Sequence, residues 1–401
     1  MAGHGVEDAG EGSELIRRVQ ASGLRGRGGG WFPAGRKWQA VAVEGGDPLV
    51  VANGAEGEPG SIKDRFVLRT RPRDVIEGIA LAVRAVGARE AVVYLKGSFE
   101  APAAAVEAVL ARGMPSGMVI RVHRGEEGYI VGEETALLES LEGHRAWPRP
   151  KPPLPAAVGF QGRPTLVQNV ETLARIPAAV RDPEGFASRE TTLVSLWGQV
   201  RRPGVYEVPL GTPLRRIIDE RGQGAPGGVA MVFPAGPSAA PLTEPQLDTP
   251  LDPDALRAAG SGLGTGAVLV VGASACPIAV GASLAGFFER ESCGQCPPCS
   301  VGTQNLARVL RAVESGEAGA SDLQSLAEVA GFMSDHGYCA HSRTAAAAVS
   351  GLLARFRDDV AAHIAAGRCP RSGPPADPFA SDSPERAAIE LALEECVRSA
   401  G

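Results

Sequence analysis

Apolar residues in this chain fall first into short runs, then alternate, and finally repeat at helical spacing. Leu49-Val-Val-Ala-Asn53, Ala91-Val-Val-Tyr-Leu95 and Met118-Val-Ile-Arg-Val122 are compact β-branched runs that read as buried strands. Residues 74–86 and 101–112 carry helical patterns between them. Strands alternating with helices imply a parallel sheet, so the first part predicts an α/β domain. Ser13–Ala21 predicts a short helix with Leu15, Ile16 and Val19 on one side, after a Gly/Glu-rich stretch, 1–12, expected to fray. Arg149–Pro155 reads as an extended Pro-rich crossing, and Pro164–Thr172 as the opening of another helix.

A composition shift at Asp182–Thr191 marks a boundary. Thr192–Val200, the turn Arg201–Gly204 and Val205–Val208 form a hairpin signature, followed by a short helix at Pro213–Arg221 and strands at Val229–Phe233 and Ala267–Val271. From Ile278 to Ala366 the pattern is helical: Leu306, Val309, Leu310 and Val313, then Leu323, Leu326 and Val329, then Val349, Leu352 and Phe356. Gly367–Ser383 is linker-like, and Pro384–Val397 predicts a last helix. The expected domains are 13–188 (α/β), 189–272 (β-rich), 273–366 (helical) and 367–401 (linker and C-terminal helix).

Residues 258–288 carry no charge, a stretch long enough to cross a bilayer. Pro277 and the glycines at 260, 262, 264, 266 and 272 instead predict a buried strand and a small-residue helix, with no transmembrane segment. Cys276, just ahead of that helix, reads as a small buried hydrophobe. A net charge of −6 argues against a nucleic-acid partner. The N-terminus has neither a basic nor an apolar leader region, so a cytoplasmic location is expected. Gly 52 and Pro 32 exceed ordinary usage while apolar content holds at 44%, which implies many tight turns, not disorder.

Chemistry concentrates in the loops. Ser22–Trp38 holds glycines at 26, 28, 29 and 30 beside Arg25, Arg27 and Lys37. Such a loop can turn its N–H groups toward a phosphate, although no Gly-Lys-Ser/Thr closes it into a P-loop. Ligands of parallel sheets sit beyond the carboxyl ends of the strands. Here those ends carry Asn53–Gly60, Lys96-Gly97 and Gly125–Glu134, with Glu56, Glu58, Glu133 and Glu134 as the carboxylates of interest.

Cys293, Cys296 and Cys299 form a C-x2-C-x2-C run, and Cys339 supplies a fourth thiol. That arrangement suits a cubane [4Fe-4S] cluster. Zinc is the rival, but its four-thiolate sites usually pair two separated C-x2-C knuckles. Seven cysteines are an odd number, which disfavours a disulfide framework. His336 and His341 flank Cys339 and read as neighbours of the site and not as ligands.

With these residues in view, the chain resembles the flavin-binding F subunit of the NADH:quinone oxidoreductase (respiratory complex I) family and its hydrogenase and formate dehydrogenase relatives. The resemblance runs from about Ser22 to His363. Its carriers are Ser22-Gly-Leu-Arg-Gly-Arg-Gly-Gly, Asn53 with Glu56-Gly-Glu-Pro-Gly60 and Lys63-Asp-Arg65, Tyr129-Ile-Val-Gly-Glu-Glu-Thr-Ala136, Leu141-Glu-Gly143, Lys151-Pro-Pro, Asn169-Val-Glu-Thr172, Arg202-Pro-Gly-Val-Tyr206 and Glu291–Cys299.

The resemblance implies a Rossmann-like FMN domain, an SLBB-type β-grasp domain and a C-terminal helical bundle holding [4Fe-4S]. It implies an NADH dehydrogenase in which NADH reduces FMN and single electrons leave through the cluster to a partner protein, a [2Fe-2S] protein among the candidates, or to a quinone-linked complex to which the chain is peripheral. By position, Gly26, Gly28, Gly29, Lys37, Asn53, Glu56, Tyr129, Gly132, Glu133 and Asn169 would hold FMN. Phe32, Glu58, Glu134 and Lys151 would face the dinucleotide, with Glu58 the residue carried as catalytic; direct hydride transfer needs no separate acid–base group. The chain departs from the family pattern at Trp31 for Gly, Ala55 for Asp, Gln168 for Asn, and Ala40 and Leu154 for two aromatics. A second expectation is therefore an FMN/[4Fe-4S] electron-transfer protein that takes no NADH, and a third a cluster-bearing scaffold without flavin.

Overall fold

The computed structural model describes residues 5–113, 118–371 and 376–400; the expected fraying of residues 1–4 and part of the Pro-rich tail, 372–375, lie outside them. The described residues fall into two compact units. The first lies within Met1–Gly57, Ile62–Thr191 and Cys396–Gly401, the second within Glu58–Ser61 and Thr192–Glu395.

The first unit begins with α1 (Gly5–Ala21) and α2 (Ala34–Glu44). Helix α1 starts well before the expected Ser13, because nothing in the Gly/Glu-rich stretch terminates it. The chain continues through β1 (Leu49–Gly54), α3 (Lys63–Thr70), α4 (Pro72–Val86), β2 (Glu90–Lys96), α5 (Glu100–Leu110), β3 (Val119–Gly125), α6 (Glu134–Leu141), β4 (Thr165–Asn169), α7 (Val170–Arg181) and α8 (Pro183–Ser188). A run such as Leu49-Val-Val-Ala52 has no polar face, so it must be covered on both sides. All four residues are fully buried, each of the larger aliphatic side chains contributing roughly 2 kcal/mol by leaving water. The sheet has order β3-β2-β1-β4, and every pairing is parallel. Strand β4 corrects the expected helix opening at Pro164: Thr165–Asn169 pairs with β1, and the helix begins only at Val170. Helices α4 and α7 cross at Gly78, where a Cβ would stand 2.0 Å from the Leu173 carbonyl oxygen, so only glycine permits this approach.

The second unit carries a mixed sheet of order β6-β5-β9-β7-β8, built from β5 (Thr191–Gly198), β6 (Gly204–Pro209), β7 (Val229–Pro237), β8 (Leu242–Thr243) and β9 (Ala267–Gly272). Strands β5 and β9 run parallel, and β7 is antiparallel to both β9 and β8. Short helices α9 (Leu214–Arg216) and α10 (Pro253–Ala258) fill the connections. The helical part follows as α11 (Pro277–Arg290), α12 (Pro297–Ser315), α13 (Ala320–His336), α14 (Ala340–Arg355) and α15 (Arg357–Ala366), and α16 (Pro384–Ala400) ends the chain. The uncharged stretch divides as expected into β9 and α11. Among the described residues no helix is long and apolar enough to cross a membrane. The linker-like tail is anchored: Phe379 is fully buried against Phe233, Phe287 and Trp197, and Arg290 donates to its carbonyl (3.0 Å).

Candidate functional site

In the first sheet the chain steps from β1 to β2 to β3 on one side, then returns to the other side of β1 as β4. That reversal opens a crevice beyond the carboxyl ends of β1 and β4, the place where such sheets bind ligands. Asn53 and Asn169 are register partners at those ends. Asn53 Nδ2 donates to the Gly132 carbonyl (3.0 Å), and its Oδ1 accepts from the Ala55 N–H (3.1 Å). Asn169 caps α7, its Oδ1 accepting from the N–H groups of Glu171 and Thr172, while its Nδ2 donates to Asp64 (2.8 Å).

The glycine loop closes above this edge. Gly26 N–H donates to Phe32 O, Ala34 N–H to Leu24 O, and Arg25 bridges Pro33, so the loop doubles back and delivers the chain into the first turn of α2, which carries Lys37. A Cβ on Gly28 would press on Asn169 Cβ at 3.3 Å, and one on Gly26 would touch the Gln168 amide. Phe32 projects into solvent, 56% exposed. Arg27 is a correction to the expected phosphate-facing charge. Its side chain is buried, donates to Glu190 (2.6 Å) and to the Arg25 and Thr191 carbonyls, and lies over the Trp31 ring.

Glu133 and Glu134 belong to one chain of charges. Glu133 caps α6, accepting from the N–H groups of Thr135 (2.9 Å) and Ala136 (3.0 Å). Lys151 reaches both Glu133 (2.7 Å) and Glu134 (2.8 Å), and Lys37 reaches Glu134 (2.8 Å). Burial alone would raise the Glu134 pKa, but the two lysines outweigh it and hold the carboxyl at about 2. Glu56 faces inward: its carboxylate accepts from the Asp64 and Arg65 N–H groups at the start of α3 and pairs with the Arg65 guanidinium (3.0 Å). Gly57 passes so close to Tyr129 and Lys96 that a Cβ would meet them at 3.2–3.3 Å.

Glu58 belongs to the second unit. It accepts a hydrogen bond from Ser238 Oγ (2.6 Å), and Gly60 (φ +76°) leaves no space for a side chain against the Trp197 indole. The site residues that sequence reasoning did not assign are Lys63, Asp64, Glu171 and Arg175. Lys63 is fully buried, 2.6 Å from Asp64 and 3.0 Å from Glu171, and Arg175 also pairs with Glu171 (3.0 Å). Burial and the neighbouring carboxylates push Asp64 up, against the pull of Lys63. The signal was present as the adjacent motifs Lys63-Asp-Arg65 and Asn169-Val-Glu-Thr172, which meet here.

The four expected metal ligands gather in the second unit. Cys293 lies in the α11–α12 loop, Cys296 and Cys339 are the N-cap residues of α12 and α14, and Cys299 is buried in the first turn of α12. Burial pushes the Cys299 thiol up to about 12; Ser292 lowers it, and the thiols of Cys296, Cys339 and Cys293 add their repulsion. The other three thiols all act on Cys299, so the four lie near one another, and a positively charged core among them would favour the Cys299 thiolate; a four-cysteine set of this kind matches an iron–sulfur cluster. His341 is buried and kept neutral, its Nε2–H on the Phe288 carbonyl (3.0 Å), and His336 stacks on Phe332. Neither is placed among the thiols by these contacts.

The crevice suits a flavin phosphate and ring. Gln168 Oε1 is buried with no hydrogen-bond partner beside the glycine loop, an acceptor that a ring N–H would satisfy, and the loop's glycines at 26, 28, 29 and 30 add no side chains to the approach.

Comparison with known proteins agrees with both halves. Residues 19–178 match the family model of the Nuo51 FMN-binding domain, and residues 279–363 that of the NADH-ubiquinone oxidoreductase-F iron-sulfur binding region. The chain is 39% identical over 379 residues to the NADH-quinone oxidoreductase F subunit numbered 2 of Rhizobium meliloti (strain 1021), covering 89% of this chain and 90% of the relative. It is 39% identical over 380 residues to the NADH-quinone oxidoreductase F subunit of Streptomyces coelicolor, covering 89% and 84%. Among solved structures it resembles an NAD+-reducing [NiFe]-hydrogenase in the H2-reduced state, with TM-score 0.80 and 33% identity, covering 91% of this chain and 64% of that one.

Proposed function

This chain belongs to the F-subunit family of NADH-quinone oxidoreductases, and from that premise we propose that it is the NADH-oxidising flavo-iron–sulfur subunit of a multi-subunit assembly. When bound, FMN accepts hydride from NADH and releases electrons one at a time, and a [4Fe-4S] cluster takes them singly. The observation that carries this reading is the presence, on one chain, of a parallel-sheet crevice fitted for FMN and a set of four cysteines, two buried and two partly buried, fitted for the cluster.

The chain's own residues divide the work. Gly26, Gly28 and Gly29 let backbone N–H groups approach the FMN phosphate, with Lys37 in the first turn of α2 adding charge. Asn53, Gly132, Glu133, Glu56, Tyr129 and Asn169 hold the walls of the flavin site through the helix caps and cross-links described above. Phe32 offers an exposed ring for the dinucleotide, and Lys151 and Glu134 supply polar partners to it; Glu58 is carried as the catalytic residue by the family resemblance. Cys293, Cys296, Cys299 and Cys339 hold the cluster. The electron acceptor is a partner protein, a [2Fe-2S] protein in this reading, and the chain sits peripherally at the cytoplasmic face of its assembly. The β-rich part of the second unit is assigned to the SLBB-type β-grasp.

Anaerobic stopped-flow mixing with NADH and with NADPH tests this. NADH should bleach the flavin and then reduce the cluster. A flavin that stays oxidised would favour the electron-transfer reading without NADH, to which the absence of aromatics at Ala40 and Leu154 is relevant. Glu58→Gln should slow flavin reduction and leave the iron content unchanged.

A further inference from the structure

A second group of metal-binding side chains lies in the helical part of the second unit and shares no residue with the four cluster cysteines. Cys276 Sγ, His363 Nε2 and Cys369 Sγ all lie within 4.8 Å of one another, and the Cys276–His363 separation is 3.2 Å. Ligand atoms around one tetrahedral zinc, bonded at about 2.0–2.3 Å, stand roughly 3.3–3.8 Å apart, so small side-chain adjustments admit an ion here. We propose that Cys276, His363 and Cys369 bind a single zinc ion, with the fourth position open to water.

The surroundings are arranged for ligation. His363 is fully buried, and its Nδ1–H donates to the Asp359 carbonyl (2.7 Å), which fixes the tautomer and turns the Nε2 lone pair toward the two sulfurs. Cys276 is the N-cap residue of α11; burial raises its thiol pKa, and the backbone N–H groups of Ala279 and Ile278 act against that rise, so a bound cation is what would favour its thiolate. Arg371 braces the site, donating to Asp359 Oδ1 (2.8 Å) and to the carbonyl of Ala275, the residue before Cys276. The segment leading to Cys369 passes tightly over Gly316, where a Cβ would stand 2.2 Å from the Gly367 carbonyl carbon. Two thiolates, a neutral imidazole and a water give a neutral zinc complex, which a buried position tolerates. A Cys276–Cys369 disulfide would leave the His363 Nε2 acceptor buried without a donor, a cost that zinc removes.

The test uses full-length protein purified anaerobically with its cluster intact, equilibrated with zinc sulfate and desalted, with zinc and iron counted by elemental mass spectrometry. The expected result is about one zinc in addition to the cluster iron. X-ray absorption at the zinc edge should show two sulfur neighbours near 2.3 Å and a nitrogen near 2.0 Å. Cys369→Ser, at a half-exposed position that should fold, and His363→Ala should each lose that zinc at least tenfold more readily and keep their iron. Cys396→Ser should change nothing. The proposal is overturned if intact protein retains no zinc, if Cys369→Ser retains it unchanged, or if thiol mapping finds Cys276 and Cys369 joined as a disulfide.

Discussion

The Arg27 guanidinium lies 4.3 Å above the centroid of the Trp31 ring, and Trp31 itself takes a left-handed backbone with φ 51°. Glycine adopts that backbone freely, and for a bulky side chain it costs about 1–2 kcal/mol. Trp31 offsets this by being 5% exposed and by taking the buried cation on its face. Trp31→Gly should therefore relieve the backbone and still lose about 2 kcal/mol net, because removing a buried indole costs roughly 3–5 kcal/mol. Urea unfolding measures this, and a variant more stable than the parent would mean that strain dominates.

Phe32 is the aromatic that remains exposed at the glycine loop. Phe32→Ala should raise KM for NADH about fivefold, the equivalent of about 1 kcal/mol of stacking, with little change in flavin content. Steady-state kinetics with a soluble electron acceptor checks it; an unchanged KM would remove Phe32 from the dinucleotide surface.

Glu134 makes stability depend on acid. Its folded pKa of about 2 lies below the ordinary 4.5, so its stabilisation is complete above about pH 4.5 and is lost as pH falls through about 2. The amount is at most about 3 kcal/mol, since each tenfold change in proton affinity corresponds to about 1.4 kcal/mol. Denaturant midpoints between pH 5 and pH 2.5 should fall less steeply in Glu134→Gln than in the parent. Identical slopes would show that Lys37 and Lys151 do not hold the carboxylate in solution.

Lys63 sits fully buried between Asp64 and Glu171. Lys63→Met should destabilise the first unit by about 3–5 kcal/mol, because it leaves buried carboxylates short of a countercharge. Thermal unfolding reads the loss, and a change under about 1 kcal/mol would mean that Arg27, Arg65 and Arg175 suffice without it.

Strands β1 and β2 and helices α4 and α5 were legible because each is long enough to show its period, whereas the eight-residue α3 (Lys63–Thr70) was not read. Strand β4 was not: five residues, Thr165–Asn169, run directly into α7, and so short an apolar run fits either state until its partner β1 is known. Helix α2 was hidden behind the glycine signal ahead of it. The three closely spaced cluster cysteines could be read because two-residue spacings bring them together locally. Cys276 and His363, 87 positions apart, meet only through the packing of α15 beside α11. Arg27 and Lys63 were misread or passed over for one reason: pattern reading assigns charge to the surface, and only three-dimensional packing shows that each has carboxylates to meet it inside.

Two helices of the second unit, α12 and α14, begin at Cys296 and Cys339. Each helix start carries roughly half a positive charge, so an electron reaching the sulfur cage arrives where the backbone already favours negative charge. A cluster held by these thiols should therefore have a raised midpoint potential. An EPR-monitored redox titration reads this directly, and a value near the bottom of the range for such centres, about −700 mV, would contradict it.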